Sequence, residues 1–186
     1  MRFLALTALL FATAAGGAEF MGKTSRPVSS AGDAALCFSL GQSRDNLRGA
    51  FGKGSDFPDV VYAAFEGQGS GDATAGNYLT RGQELYQLVA TTEAQCQAAI
   101  GPNAGPRSDA EAAAVRRRAQ SAKKSTDLYM NLPRIIAAID GSPNQMEQSL
   151  RPRFLDAMYK IADGGNYEAA STLADSASAA RSRIRK

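Results

Sequence analysis

Histidine and tryptophan are absent from the 186 residues, and cysteine occurs only twice. The missing histidine removes the usual general base, the commonest metal ligand and the side chain whose ordinary pKa lies nearest neutral pH. Serine–histidine–aspartate and cysteine–histidine catalysis are excluded with it, as are histidine-bearing zinc sites. Cys37 and Cys96 lack C-x-x-C spacing and so make a poor redox or metal site. They read as one disulfide in an oxidising compartment, with two free buried cysteines as the alternative. A bridge closing a loop of about 60 residues is worth about 4 kcal/mol in the chain-entropy model.

Long apolar runs are also scarce. The one that stands out is Phe3 to Ala15, which follows a single positive charge at Arg2 and precedes small residues at Ala14 and Ala18. This is the three-part layout of an export signal over residues 1–18, cleaved after Ala14 or Ala18. About a dozen apolar residues fall short of the roughly 20 that a spanning helix needs. The expected address is outside the cytosol: the thylakoid lumen in a plastid lineage, otherwise the periplasm or the medium. Across the same boundary, Gly17 to Thr24 matches the phosphate-loop pattern G-x-x-x-x-G-K-[ST]. Such a loop joins a buried strand to a helix, whereas this one follows an alanine-rich leader and is broken by Pro27, so no nucleotide site is expected.

Without histidine, catalysis would rest on carboxylates, one of them kept protonated by burial as in glycoside hydrolysis. Asp56, Asp59 and Glu66 cluster loosely, and Asp140 and Asp163 fall at expected helix ends, but no spacing commits to a site. A calcium loop starting at Asp140 would have Ser142 and Asn144 in place, yet Arg151 stands where the bidentate glutamate belongs. The sequence therefore assigns no catalytic residue, cofactor or metal ligand, and a carboxylate hydrolase ranks behind a non-catalytic reading.

Net charge is +3 with a pI of about 9.0, and the excess is unevenly spread. Arg116, Arg117, Arg118, Lys123 and Lys124 form one basic block, and Arg181, Arg183, Arg185 and Lys186 another at the C-terminus. Arg116 and Lys123 lie seven apart, as do Arg117 and Lys124, so a helix would present them as two rows, with Asp127 neutralising part of one. Such a strip suits an acidic face of a membrane protein complex or anionic lipid headgroups. An exported protein is not expected to meet nucleic acid. A merely solvated helix face is the alternative.

The remaining pattern is helical. Asp33 precedes a stripe of Leu36, Leu40, Leu47 and Phe51, and Asp56 with Pro58 suits a short helix start. Gly67 to Gly76, with four glycines in ten residues, reads as a linker, which makes residues 19–76 an N-terminal extension. Residues 77–186 then form a bundle. Its first helix carries Leu79, Leu85, Tyr86, Val89, Cys96 and Ile100. A capping box at Ser108 and Glu111 opens the second, striped by Leu128, Leu132, Ile135 and Ile139, with Pro133 expected to kink or restart it. Ser142, Pro143 and Gln145 start the third, striped by Met146, Leu150, Phe154, Met158 and Ile161 and bent by Pro152. Tyr167, Ala170, Leu173, Ala177, Ala180 and Ile184 line the fourth. Short connections make an all-α, up-down-up-down four-helix bundle with an irregular, short-helical extension.

The glycine-marked boundary, the long second helix with its Leu128-Tyr129-Met130-Asn131-Leu132-Pro133-Arg134-Ile135-Ile136 run, and Phe154 to Ala162 followed by Tyr167-Glu168-Ala169-Ala170 together resemble the PsbQ-type extrinsic subunits of photosystem II, over residues of about 77–186. The resemblance implies a non-catalytic lumenal protein that docks on the membrane complex and helps retain the ions of water oxidation. A periplasmic helical adaptor or inhibitor is the competing reading.

Overall fold

The computed structural model describes residues 30–105 and 107–185. The expected export leader over residues 1–18, the phosphate-loop pattern and Lys186 lie outside the described residues. Seven helical segments follow one another with no strand among the described residues: α1 (Ala31–Ala50), α2 (Phe57–Phe65), α3 (Gly71–Ile100), α4 (Asp109–Asp140), α5 (Gln145–Gln148), α6 (Arg151–Gly164) and α7 (Tyr167–Ile184). The all-helical expectation holds.

The helix starts follow from local chemistry. At α1 the cap is Ser30, and Asp33 is its capping-box partner rather than the cap itself. Ser108 and Glu111 form the expected box at α4, with the Ser108 hydroxyl accepting from the Glu111 N–H and the Glu111 carboxylate from the Ser108 N–H. The third expected helix is divided. Asn144, not Ser142, caps the single turn α5, and Pro152 sits in the first turn of α6, where its missing N–H costs nothing, so it starts a helix rather than bending one. Met146 accordingly points outward, 62% exposed, while Phe154, Met158 and Ile161 are buried.

The glycine-rich stretch is not a linker. Gly67–Ser70 form a turn and α3 begins at Gly71, whose backbone passes so close to the Phe65 carbonyl that a Cβ there would lie 2.4 Å from it. Burial of Thr74, Ala75 and Tyr78 offsets the entropy that glycine costs in a first turn. Nor does α1 stand apart as an extension. It packs against α3 and α4, with Leu40 and Leu47 fully buried, and contributes to one hydrophobic core with the C-terminal helices. The Cys37–Cys96 disulfide, Cα atoms 5.5 Å apart, ties it to α3.

Proline 133 neither breaks nor restarts α4, which runs through it as one helix. Lacking an N–H, Pro133 leaves the Tyr129 carbonyl without its intrahelical donor. The buried Tyr78 hydroxyl supplies one, donating to that carbonyl at 2.8 Å. The two tyrosine rings stack, centroids 4.6 Å apart and nearly parallel. Phe57 packs on Tyr129 and Phe65 on Tyr78, so α2 closes over the pair. Room for the Tyr129 ring comes from Gly82, where a Cβ would lie 2.1 Å from the Tyr129 hydroxyl oxygen and 2.6 Å from the Phe51 ring.

Gly82→Ala is therefore expected to destabilise by about 2–3 kcal/mol or more, against the roughly 1 kcal/mol gain that alanine brings to an unhindered helix position. The Tyr129 hydroxyl, buried and without a hydrogen-bond partner among the described residues, predicts the opposite sign for Tyr129→Phe, which should be neutral or stabilising. Urea titrations of the two variants check both signs. Breaking the Cys37–Cys96 bridge as a double serine variant should lower stability by about 4 kcal/mol, read in the same titration.

Candidate interaction surface

The basic block separates into cations that hold the fold together and cations that face solvent. Arg116 belongs to the first group. From the second turn of α4 its guanidinium grips the buried Asp33 carboxylate, Nε to Oδ1 at 2.6 Å and Nη2 to Oδ2 at 2.8 Å. This bidentate pair fastens the start of α1, and the guanidinium, joined by the Ser30 capping contacts, lowers the Asp33 carboxyl to about 2. Lys123 spends its charge on Asp127 at 2.5 Å, the neutralisation that the i, i+4 spacing predicts. Lys124 is exposed and stands 3.9 Å from the exposed Asp175 of α7, a contact worth little in water. Arg117 and Arg118 are exposed and make no ion pair among the described residues. Of the five expected docking cations, Arg117 and Arg118 make no ion pair among the described residues, Lys124 makes one exposed contact, and Arg116 and Lys123 are engaged by Asp33 and Asp127 with their side chains 38% and 41% exposed.

The C-terminal block divides in the same way. Arg181 and Arg185 converge on the buried Glu147 carboxylate of α5, Arg185 through Nη2 at 2.7 Å, and the Ser142 hydroxyl donates to its other oxygen at 2.9 Å. These donors, Arg181 foremost, hold Glu147 below the usual carboxylate range and lock the end of α7 against α5. Arg183 faces solvent. Sequence reasoning missed Glu147 and Asp33 as anchors because nothing in a linear pattern marks which acid an arginine 34 or 83 residues away will meet.

Arg151, which displaces the glutamate of a calcium loop, pairs with Asp140 at 2.7 Å and donates to the Ala64 carbonyl at 3.0 Å. It thus joins the ends of α2 and α4 to the start of α6. The carboxylates considered for hydrolysis stay apart from any such setting: Asp56, Asp59, Glu66 and Asp163 are exposed. The two most buried acids, Asp33 and Glu147, are held ionised by arginines, which is the reverse of what a general acid requires. No group of three or more acidic or cysteine side chains among the described residues could hold a metal ion.

Open clefts flank α4. One, of about 370 Å³, lies between α3 and α4 beside Arg118. Its α3 wall includes Leu88, 54% exposed. No described helix is long and apolar enough to cross a membrane.

Because the Asp33 carboxyl is shifted down in the folded chain, its contribution to stability is fully present above about pH 4 and lost as pH falls toward 2. The shift corresponds to about 1–2 kcal/mol after allowing for the solvent at Arg116. Asp33→Asn should remove that amount at pH 7 and flatten the acid limb of a stability–pH curve between pH 4 and 2.

The chain matches no family model, no curated protein and no solved structure.

Proposed function

We propose that this is a non-catalytic, exported accessory protein that docks through the solvent-facing cations of α4 onto an acidic face of a membrane protein complex. In this reading α3, α4, α6 and α7 act as an up-down-up-down bundle, with α1 and α2 added to its core. The observation that carries the reading is the division of the basic block on α4: Arg116 and Lys123 are engaged by Asp33 and Asp127, whereas Arg117 and Arg118, with Lys124 two turns on, face water. Clustered unpaired cations steer and orient an acidic partner, and they do so in a salt-dependent way. The disulfide supports an oxidising address.

A PsbQ-type role at photosystem II is one form of this proposal. A periplasmic helical adaptor is the other. The bridge from α1 to α3 favours the latter, since it makes residues ahead of the resembling segment part of the same core.

Recovery of the full chain with washed membranes of its producing cells tests the proposal. Raising salt from about 0.1 M to about 1 M, which shortens the Debye length from about 10 Å to about 3 Å, should release most of it. The Arg117→Glu, Arg118→Glu, Lys124→Glu variant should bind at least tenfold less at low salt. A chain that stays free of membranes at every salt concentration contradicts the proposal.

A further inference from the structure

The α3/α4 pair forms a groove on each of its two faces, and the chain fills them unequally. On one face α1 lies against both helices, held by the Cys37–Cys96 bridge and the Arg116–Asp33 pair. Elsewhere α6 packs against both, and the chain then turns away: the Tyr167 hydroxyl donates to the Arg81 carbonyl at 3.3 Å where α7 begins. Two helical turns farther along α3, at Leu88, no described helix covers the pair. There the groove of about 370 Å³ opens, with Leu88, Thr91 and Gln95 on one wall and Arg118, Ala122 and Ser125 on the other. Ser121 and Ser125 also line the cleft between α4 and α7, so the open groove adjoins the place where the chain's own helices stop.

Charge distinguishes this groove from its neighbours. Three other clefts along α4 each carry two carboxylates beside one cation: Asp45 and Asp127 with Arg134, Glu168 and Asp175 with Lys124, and Asp127 and Asp175 with Lys124. The groove at Leu88 carries none, and its single charge among the described residues is Arg118, which makes no ion pair among them. Arg117, likewise without one, stands one turn before Ser121 on the same helix. Glu84, one turn before Leu88 on α3, is engaged by Arg81 at 2.8 Å. Short side chains at Thr91, Ala122 and Ser125 allow a close approach, and Leu88 offers apolar area that water would otherwise cover.

We propose that this groove receives an amphipathic α-helix of a partner protein, laid between α3 and α4 as α1 is on the opposite face. Its apolar residues meet Leu88 and Ala122, and its carboxylates meet Arg118 and Arg117. The inference rests on the docking reading above for the source of its partner and names the partner's form: a helix with an acidic edge, rather than a lipid surface.

A photocrosslinking benzophenone side chain placed at Leu88 of the full chain, in its producing cells, tests this, with the same probe at the exposed Lys160 as reference. The expected result is an adduct at position 88 that mass spectrometry maps to a segment of another protein with helically spaced apolar residues and flanking acids, reduced at least fivefold by Arg118→Glu. Circular dichroism of that variant shows that its fold is retained. An adduct with residues 1–29 of this chain, with a second copy or with lipid overturns the proposal, as does one undiminished by Arg118→Glu or no stronger than at Lys160. Salt-sensitive membrane recovery without a position-88 adduct overturns the groove assignment and leaves the docking reading standing, whereas a chain never recovered with membranes overturns the docking reading itself.

Discussion

A proline inside α4, the longest of the described helices, sets the terms for everything packed around it. Pro133 strips the Tyr129 carbonyl of its intrahelical donor, and a buried carbonyl left unpaired costs about 1–3 kcal/mol. Tyr78 supplies the donor from α3, and the exchange fixes more than one hydrogen bond. It sets the register of α3 against α4, stacks two rings at their crossing, requires glycine at position 82 and offers the aromatic surface that Phe57 and Phe65 cover. Phe65 reaches on to Tyr159 of α6, so α2, α3, α4 and α6 meet around the same pair of tyrosines. Burial also pushes the Tyr78 hydroxyl well above its ordinary pKa, which keeps it a donor.

Around this centre the arginines act as clamps at the edges. Arg116 holds the start of α1, Arg44 joins α1 to Glu93 of α3, Arg151 gathers three helix ends, and Arg181 with Arg185 closes α7 onto α5. A core rich in alanine buries little area per residue, so bidentate and multi-donor contacts at helix ends specify how thin helices meet. These clamps engage five arginines, while Arg48, Arg107, Arg134, Arg153 and Arg183 stay exposed without an ion pair among the described residues. What is left over on α4 is a small, localised excess beside an open groove, and the docking proposal draws on that remainder alone.

Helix positions were legible at α4, where stripe and cap agreed, and along the buried stripe of α6. Leu132, Ile139, Phe154 and Met158 occupy the core as their spacing implies, and Ser108 with Glu111 opens α4 as written. Several misreadings share a cause: residues judged by their local cost are held by contacts remote in sequence. Gly71 and Gly76 read as linker because glycine disfavours helix, yet burial of Ala75 and Tyr78 overrides that cost. Pro133 read as a kink or a restart because its lost hydrogen bond was counted and the replacement from Tyr78, 51 residues earlier, could not be; α4 does not restart there. Arg116 read as a docking residue because its pairing with Asp33 spans 83 residues. Arg117 and Arg118 have no such partner among the described residues and are exposed on α4.

The dependence of the helix crossing on the proline is open to a direct measurement. A double-mutant cycle joins Tyr78→Phe and Pro133→Ala, with unfolding free energies from urea titration. In the native background Tyr78→Phe orphans the Tyr129 carbonyl and should cost about 1–3 kcal/mol. With alanine at 133 the helix regains its own donor to that carbonyl, and the same change should cost at least about 1 kcal/mol less, a coupling well outside additivity. Equal costs in both backgrounds would contradict the account, because the tyrosine would then be stabilising the crossing by packing alone.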